Sequence, residues 1–340
     1  MSARRSDPAD GHGLARVAVV GAAFGIVVAR RLRDELAARE RERRRAFRLR
    51  SEEQADDGLR RVARGQLDGA LESLRDADGD PGAAVHDARK RFKRLRAVLR
   101  LARDDLGDDV YRRENDAFRD VGRRLSGVRD AKVMVETLDA LSDGDGNGRS
   151  ERPFARLRSA LLREQEEAHE KLQRDDATLR DVRADLADAR ARVAAWPLTP
   201  DAGQAVLAPG LRRIYRRGRK AYRAAAANPS AEALHDLRKR VKDLRYAAQV
   251  ARPVAPKRMR KLAKRANALA DLIGDDHDLA VLREAAAERS ATLTGDELAH
   301  LRELIDHRRA RLQKRALKAA ERLYKPKPRR IAWLVERAEA

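Results

Sequence analysis

The sequence predicts an all-α protein made of two similar halves, and three observations support this prediction. First, hydrophobic residues, chiefly Ala, Leu and Val, make up 42% of the 340 residues, whereas charged residues make up 39% and aromatic residues 4%. This composition is typical of helices with narrow apolar stripes and solvated outer faces. Second, helical periodicity runs almost without interruption after the first 50 residues, and no alternating strand pattern appears. Third, one segment of the chain is repeated.

The first 50 residues are interpreted as an N-terminal extension. Their apolar run at residues 17–29 is 13 residues long, and a helix of that length spans about 20 Å, whereas a bilayer core needs about 20 such residues. We therefore interpret the run as a short packing helix. Gly21 and Gly25 have the small-residue spacing of helices that pack in membranes, so membrane contact stays an alternative. Residues 30–50 are nearly all charged or Ala, which predicts a solvated helix or a flexible basic arm.

Glycine and proline clusters divide the rest of the chain. Breaks in the helical pattern occur at residues 79–82, 143–148, 196–210, 228–230 and 253–256. The stretch 196–210 contains three prolines, and we interpret it as a linker between a first half at 51–195 and a second half at 211–340. The glycine-rich tract at 143–148 is then a loop within the first half.

An internal repeat relates the two halves. Residues 86–96 read HDARKRFKRLR and residues 235–245 read HDLRKRVKDLR, so eight of eleven positions are identical at an offset of 149. A second, weaker correspondence follows each copy, because Leu125-Ser126-Gly127 precedes Arg129-Asp130 and Leu272-Ile273-Gly274 precedes His277-Asp278. The two halves are therefore predicted to be duplicated helical units.

Each copy of the repeat, placed on a helix at about 100° per residue, has a cationic stripe opposite an apolar face. The first stripe consists of His86, Arg89, Lys93, Arg96 and Arg100. The second stripe consists of His235, Arg238, Lys242 and Arg245, with Tyr246 beside it. The apolar faces consist of Ala88, Phe92, Leu95, Val98, Leu99 and Ala102 in the first copy and of Leu237, Val241, Leu244, Ala247 and Ala248 in the second.

The cationic stripes predict an anion-binding surface. Stacked cations repel one another, and few acidic residues at i±3 or i±4 relieve them, so a bound polyanion would replace the repulsion with charge-assisted hydrogen bonds. A solvated charged face is the usual explanation of a single basic helix, but recurrence of the same residue types in both halves argues against it here. Arg216 and Lys220, on a stripe just before the second copy, are candidates to widen the surface.

The bulk charge of the chain agrees with such a surface. Lys and Arg number 77 against 55 Asp and Glu, a formal net charge of +22, which calls for an anionic partner. The chain contains no cysteine, which excludes a disulfide framework, a Cys-ligated zinc site and thiol catalysis. The absence of cysteine also agrees with a reducing cytoplasm.

The repeated residues resemble the two half-motifs of the CHAD family, the histidine-bearing α-helical domains. The resemblance rests on residues 86–96 with Arg129-Asp130 and on residues 234–246 with Gly274 and Asp278, and it covers roughly residues 51–340. It implies two pseudo-symmetric four-helix-bundle-like halves and a basic surface that binds inorganic polyphosphate, without catalysis by the domain itself. The binding positions that it implies are His86, Arg89, Lys90, Lys93, Arg96, His235, Arg238, Lys239, Lys242 and Arg245.

The same resemblance sets the remaining expectations. Arg94 in the first copy stands where Asp243 stands in the second, which indicates that the halves contribute unequally. We expect no cofactor and no metal, and we expect a cytoplasmic location, with polyphosphate granules as a candidate site within it.

Three other functions stay open at this point. Nucleic acid is the stronger rival ligand, because the cationic stripes would attract its phosphates, although no base-reading motif is recognisable and aromatic residues are scarce. The His-Asp pairs at 86–87, 235–236 and 277–278 suggest a metal-dependent phosphohydrolase, but the neighbouring cations would repel a divalent metal. A third alternative is a scaffold that docks an acidic protein or an anionic membrane leaflet.

Overall fold

A computed structural model of the chain describes residues 42, 45–75, 81–125, 129–143, 154–174 and 176–336. The chain divides into two compact units, residues 1–47 and residues 48–340, and nearly all the described residues belong to the second. The predicted packing helix at 17–29 lies outside the described residues, as does most of the basic arm that follows it. Within the part that is described, no helix combines the length and apolarity needed to cross a bilayer.

The described part of the second unit is helical and contains no strand, so the predicted all-α class is confirmed. Its α-helices are α1 (Ala55–Arg75), α2 (Pro81–Leu106), α3 (Asp108–Arg124), α4 (Arg129–Ser142), α5 (Ala155–Arg174), α6 (Asp176–Ala194), α7 (Ala208–Ala227), α8 (Ala231–Val250), α9 (Pro256–Glu288), α10 (Gly295–Tyr324) and α11 (Pro328–Glu336). The two copies of the repeat lie on α2 and α8.

Eight of these helices form two four-helix bundles, as the predicted fold class requires. In the first bundle, α1 packs against α2 and α6, and α3 packs against the same two helices. In the second, α7 packs against α8 and α10, and α9 packs against the same two helices, while α11 covers α7. All the residues predicted for the apolar faces of α2 and α8 are buried. Burial of these stripes is the main force that holds each repeated helix in its bundle.

Helices α4 and α5 break the simple division into halves. By sequence they belong to the first half, yet Met134 of α4 and Leu157 of α5 share a hydrophobic core with Leu282 of α9 and Ile305 of α10. The single helix α9 corresponds to α3 and α4 together, and Gly274 lies within α9, whereas its counterpart Gly127 falls outside the described residues between α3 and α4. The second half therefore supplies the packing surface for the extra hairpin of the first.

Local sequence signals fix several of the helix ends. The hydroxyl oxygen of Ser230 accepts a hydrogen bond from the backbone N–H of Ala233 at the start of α8. Thr294 and Glu297 form a complete capping box at the start of α10, as their spacing predicts. These caps satisfy backbone N–H groups that have no partner within the helix.

The two bundles meet where α2 packs against α7 and α8. Gly210 near the start of α7 lies so close to α2 that a Cβ atom there would overlap the carbonyl oxygen of Leu101. The predicted linker at 196–210 therefore overlaps the first residues of α7. The linker is held at its first residue, because the Trp196 side chain is buried and its carbonyl oxygen accepts a hydrogen bond of 3.0 Å from Arg60.

Candidate functional site

The basic faces of α2 and α8 line one groove with a volume of about 350 Å³. Eight of its lining residues were predicted from the sequence, namely His86, Arg89, Lys90 and Lys93 of α2 and Arg238, Lys242, Arg245 and Tyr246 of α8. The remaining wall is provided by α9, with Ala270, Asp271, Gly274, Asp275 and Asp278. The groove thus places six Lys and Arg side chains across from three carboxylates. Most of the second predicted cationic stripe and the first part of the first stripe therefore face a common space, whereas Arg96, Arg100 and His235 do not line it.

The helix repeat explains why these side chains converge. On α2 the groove residues follow the spacing i, i+3, i+4 and i+7 from His86, and on α8 Arg238, Lys242 and Arg245 follow i, i+4 and i+7. Residues at these spacings lie on one face of a helix, and the opposite face of each helix is buried in its bundle. Contact between α2 and α8 then brings the two cationic faces to the same side.

Arg89 and Arg238 occupy equivalent places in the two halves. Arg89 donates a hydrogen bond of 3.0 Å from Nη1 to the carbonyl oxygen of Leu125, in the weaker part of the repeat. Arg238 lies over the matching part, because a Cβ atom on Gly274 would be 3.1 Å from Nη2 of Arg238. Glycine at 274 therefore leaves room for the guanidinium to lie against α9. The second, weaker correspondence in the sequence therefore marks the backbone segment next to each of these two arginines.

Arg245 and Tyr246 form the other end of the α8 contribution. The guanidinium of Arg245 lies 5.3 Å from the centroid of the Tyr246 ring, a cation–π distance. Nε of Arg245 is buried and has no hydrogen-bond partner among the described residues. A buried donor without a partner costs free energy, and an anionic oxygen in the groove would satisfy it.

His235 lies outside the groove lining and contacts a residue that sequence reasoning did not select as a ligand. Its ring centroid is 4.9 Å from that of His277 on α9, and Nδ1 of His235 is buried without a hydrogen-bond partner in the part of the chain that the structure describes. Burial lowers the pKa of both imidazoles, and the positive charges of Arg238 and Lys242 lower the two pKa values further. The pKa values of the two rings therefore depend on the positive charge of the groove.

Five other predicted residues lie outside the groove lining. Arg96 donates a hydrogen bond of 3.1 Å to Oδ1 of Asn115, and burial, together with the nearby Arg100, lowers the pKa of Arg96 to about 10. Arg100 forms an ion pair of 3.1 Å with Asp243 of α8, and both side chains are largely buried. Lys239 is exposed, with Nζ 3.8 Å from Asp236, and Arg216 and Lys220 are exposed on α7.

A comparison with protein-family models identifies the domain. The model described as CHAD domain matches residues 59–287, which include both cationic rows and the α9 wall. The chain belongs to the CHAD family. No curated protein matches the chain.

Solved structures agree on the CHAD fold. PptA from Streptomyces chartreusis superposes with a TM-score of 0.61 at 20% sequence identity, over 81% of this chain and 100% of that one. The CHAD domain from the plant Ricinus communis superposes with a TM-score of 0.56 at 18% identity, over 82% of this chain and 94% of that one. At such identities the likeness concerns the fold alone.

Sequence reasoning missed the acidic wall of this CHAD groove. Asp271, Gly274, Asp275 and Asp278 share the spacing i, i+3, i+4 and i+7, so the sequence shows that they lie on one face of a helix. Which neighbour that face meets depends on how α9 packs on α8, and no local pattern gives that information. The only sequence signal was the Gly274 and His277-Asp278 half-motif.

The carboxylates of the first two His-Asp doublets are paired within the CHAD domain. Oδ2 of Asp87 accepts hydrogen bonds from Nε of Arg91 at 2.7 Å and from Ser73 at 2.9 Å. Asp236 forms an ion pair of 3.3 Å with Arg240. Across the described ranges, no group of three or more His, Asp or Glu side chains is placed to hold a metal ion.

Proposed function

We propose that this CHAD protein binds inorganic polyphosphate, without catalysing its turnover, in the groove between α2 and α8. The observation that carries the proposal is that six cations from two duplicated helices line a single groove. A linear chain of phosphates is narrow and charged along its whole length, so it can contact both rows at once. Arg supplies paired N–H donors that suit phosphate oxygens, and Lys supplies a compact charge.

The partial burial of the groove favours binding by these side chains. The groove cations of α2 and α8 are half-buried rather than fully exposed. A charge-assisted hydrogen bond contributes about 1.5–3 kcal/mol when it is well desolvated and about 0–1 kcal/mol at an exposed site, so each contact here falls between these limits. A bound polyanion would also relieve the mutual repulsion of the cations.

Pairing of the carboxylates in the first two His-Asp doublets supports the non-catalytic part of the proposal. A phosphohydrolase of the His-Asp type needs carboxylates that are available to a metal ion. Asp87 and Asp236 are instead engaged by arginines on their own helices. A protein that holds polyphosphate in this way would associate with polyphosphate granules in the cytoplasm, and that location is part of the proposal.

A charge-removal variant tests the proposal. With Arg89, Lys93, Arg238 and Lys242 all changed to Gln, we expect the dissociation constant for polyphosphate to rise at least about 30-fold, since four contacts of at least about 0.5 kcal/mol each are lost. We also expect a shallower dependence of affinity on salt concentration, because fewer counterions are released on binding. Isothermal titration with polyphosphate of defined length measures both quantities.

A matched control comes from α10. Arg311, Lys314, Arg315 and Lys318 are exposed and lie outside the groove lining, and changing them to Gln removes the same four charges. We expect this control to lose only a few-fold in affinity, as a long-range charge effect does at physiological salt. Equal losses in the two variants would contradict binding in the groove. If duplex DNA displaces polyphosphate at lower phosphate concentration than the reverse, nucleic acid is the preferred ligand and the proposal fails.

A further inference from the structure

The wall of the groove formed by α9 has the opposite charge to the other two walls. Asp271, Asp275 and Asp278 lie on one face of this helix and all three line the groove. On a helix that rises 1.5 Å per residue, the stripe extends for about 10 Å along the groove. We call these three residues the acidic edge. A groove built only to collect phosphate would gain nothing from carboxylates in its lining.

The acidic edge lies directly beside the cations rather than at a distance. Gly274 lies between Asp271 and Asp278 on the same face, and a Cβ atom on Gly274 would be 3.1 Å from the guanidinium of Arg238. The positive and negative walls therefore meet at Arg238. Any ligand that contacts Arg238 from the groove lies within about 10 Å of the three carboxylates, which is about one Debye length at 0.1 M salt, so salt weakens their repulsion without abolishing it.

The three carboxylates of the acidic edge lie close enough to one another for their negative charges to interact. Burial raises the pKa of Asp275 above its ordinary value, and the neighbouring charges of Asp278 and Asp271 raise the pKa further. The positive charges of Arg308 and Arg238 lower the pKa of Asp275 and partly offset this effect. Asp275 and Asp278 also line a second cavity of about 380 Å³ with Glu136 of α4 and Arg308 of α10, so the acidic edge extends beyond the groove.

We propose that the acidic edge determines specificity, because it accepts a single chain of phosphates along α2 and α8 and repels a duplex nucleic acid. This inference rests on the proposed function and adds to it the discrimination between two polyanions.

The physical basis is the different width of the two ligands. A polyphosphate chain has one row of charge, so only the phosphates that contact Arg238 come close to the carboxylates of α9. Duplex DNA carries two phosphate rows across a minor groove about 6 Å wide and one charge per about 1.7 Å of its axis. When one row contacts the cations, the second row or its flanking phosphates are brought over the carboxylates. Repulsion of this kind excludes the wider ligand while it lowers the affinity for polyphosphate only slightly.

Neutralising the edge tests the proposal on the full chain. In the variant Asp271→Asn/Asp275→Asn/Asp278→Asn, affinity for duplex DNA is expected to rise on the order of ten-fold, whereas affinity for polyphosphate with the same number of phosphates rises less than about three-fold. The measured quantity is the dissociation constant for duplex DNA divided by the dissociation constant for polyphosphate, both at one salt concentration. A lower value of this ratio in the variant than in wild type supports the proposal.

A control variant removes the same charge elsewhere. Glu284, Glu303 and Glu321 are exposed on α9 and α10, and changing them to Gln should raise both affinities by the same small factor. If the edge variant shows the same ratio as wild type or as this control, the edge does not determine specificity, while binding of polyphosphate by wild type still stands. If wild type does not bind polyphosphate at all, the proposed function and this inference both fail. If the triple variant does not fold, the single variants Asp271→Asn and Asp275→Asn are measured instead. Each is expected to give part of the change in the ratio of dissociation constants.

Discussion

Two histidine rings, those of His235 and His277, lie side by side next to the cations of the groove. Burial and the charges of Lys239, Arg238 and Lys242 lower the pKa of His235. Burial and Arg238 lower the pKa of His277, whereas Asp278 and Asp276 on its own helix raise that pKa. At the residue scale, this pair is the part of the site that responds to pH near neutrality.

The lowered pKa values predict opposite effects of acid on folding and on binding. The folded protein takes up these protons less readily than the unfolded chain, so the stability from the neutral rings is present above about pH 6.5 and decreases as pH falls through the lowered pKa values. A polyphosphate in the groove adds negative charge beside Arg238 and Lys242, which raises both pKa values. Binding then takes up protons, and affinity is expected to increase as pH falls.

Titration calorimetry checks this prediction at constant ionic strength. Wild type is expected to bind polyphosphate up to about ten-fold more tightly at about pH 5.5 than at about pH 8, because a ligand that raises the pKa of a histidine by about one gains about a factor of ten in affinity once that histidine is protonated. The variant His235→Gln/His277→Gln should lose most of that difference and keep its affinity at about pH 8. An unchanged pH profile in the variant would assign the effect to His86, which lines the groove, or to the ligand.

At the scale of whole helices, Asp243 of α8 links the two repeated elements. One of its oxygens lies 3.1 Å from Nη1 of Arg100 on α2, and the other lies 3.3 Å from Nη1 of Arg240 on α8. The exposed fractions are only 13% for Arg100, 14% for Asp243 and 20% for Arg240. The position equivalent to Asp243 in the first copy is Arg94, which is buried and donates a hydrogen bond of 3.4 Å to Oε1 of Gln66 on α1. The difference between the two copies at this position thus reflects the contact that Asp243 makes between α8 and α2.

Removing this carboxylate is expected to destabilise the protein. In Asp243→Asn, two nearly buried guanidinium groups lose their common counter-charge, which should lower the free energy of unfolding by about 2–4 kcal/mol. The control Asp236→Asn removes a carboxylate on the same helix that is 46% exposed and 3.3 Å from Arg240, and its cost should stay below about 1 kcal/mol. Urea unfolding followed by circular dichroism measures both. Similar losses in the two variants would show that Asp243 does not hold α2 against α8.

The difference between predicted and observed site residues follows from such contacts. Helical periodicity alone correctly placed the cations and apolar residues of α2 on opposite faces, because both depend only on the helix repeat. It grouped Arg96 and Arg100 with Lys93, but Asn115 of α3 and Asp243 of α8 engage those two arginines away from the groove. Which residue on another helix pairs with a given arginine depends on the angle at which the two helices cross and on which turns come into contact. A single sequence does not show these features directly.

Across the whole molecule, the spacing between the two cationic rows depends on how closely the bundles approach each other. The sequence predicted the duplication and the two bundles, but the packing of α4 and α5 on α9 and α10 was not visible in it. The bundles approach each other closely at Gly210 of α7 and Leu101 of α2. Because α2 carries one row and α7 packs beside α8, which carries the other, this contact helps to set the width of the groove.

Gly210→Ala is therefore expected to affect both folding and binding. The added Cβ would overlap the Leu101 carbonyl oxygen and lie 2.8 Å from its carbonyl carbon. Because backbone atoms cannot move aside as a flexible side chain does, the two helices must separate, at a cost of about 2–3 kcal/mol. The wider groove should also bind polyphosphate several-fold more weakly under conditions in which the variant is folded.

Gly65→Ala on α1 provides the matched control for the change at Gly210. A Cβ atom at Gly65 would meet nothing within 4 Å, so Ala should stabilise the protein by up to about 1 kcal/mol through its better helix propensity. Its affinity for polyphosphate should equal that of wild type. Thermal unfolding and calorimetry on both variants distinguish the two effects. Wild-type stability in Gly210→Ala would mean that the bundles tolerate separation, and wild-type affinity together with lost stability would mean that the groove does not depend on this contact.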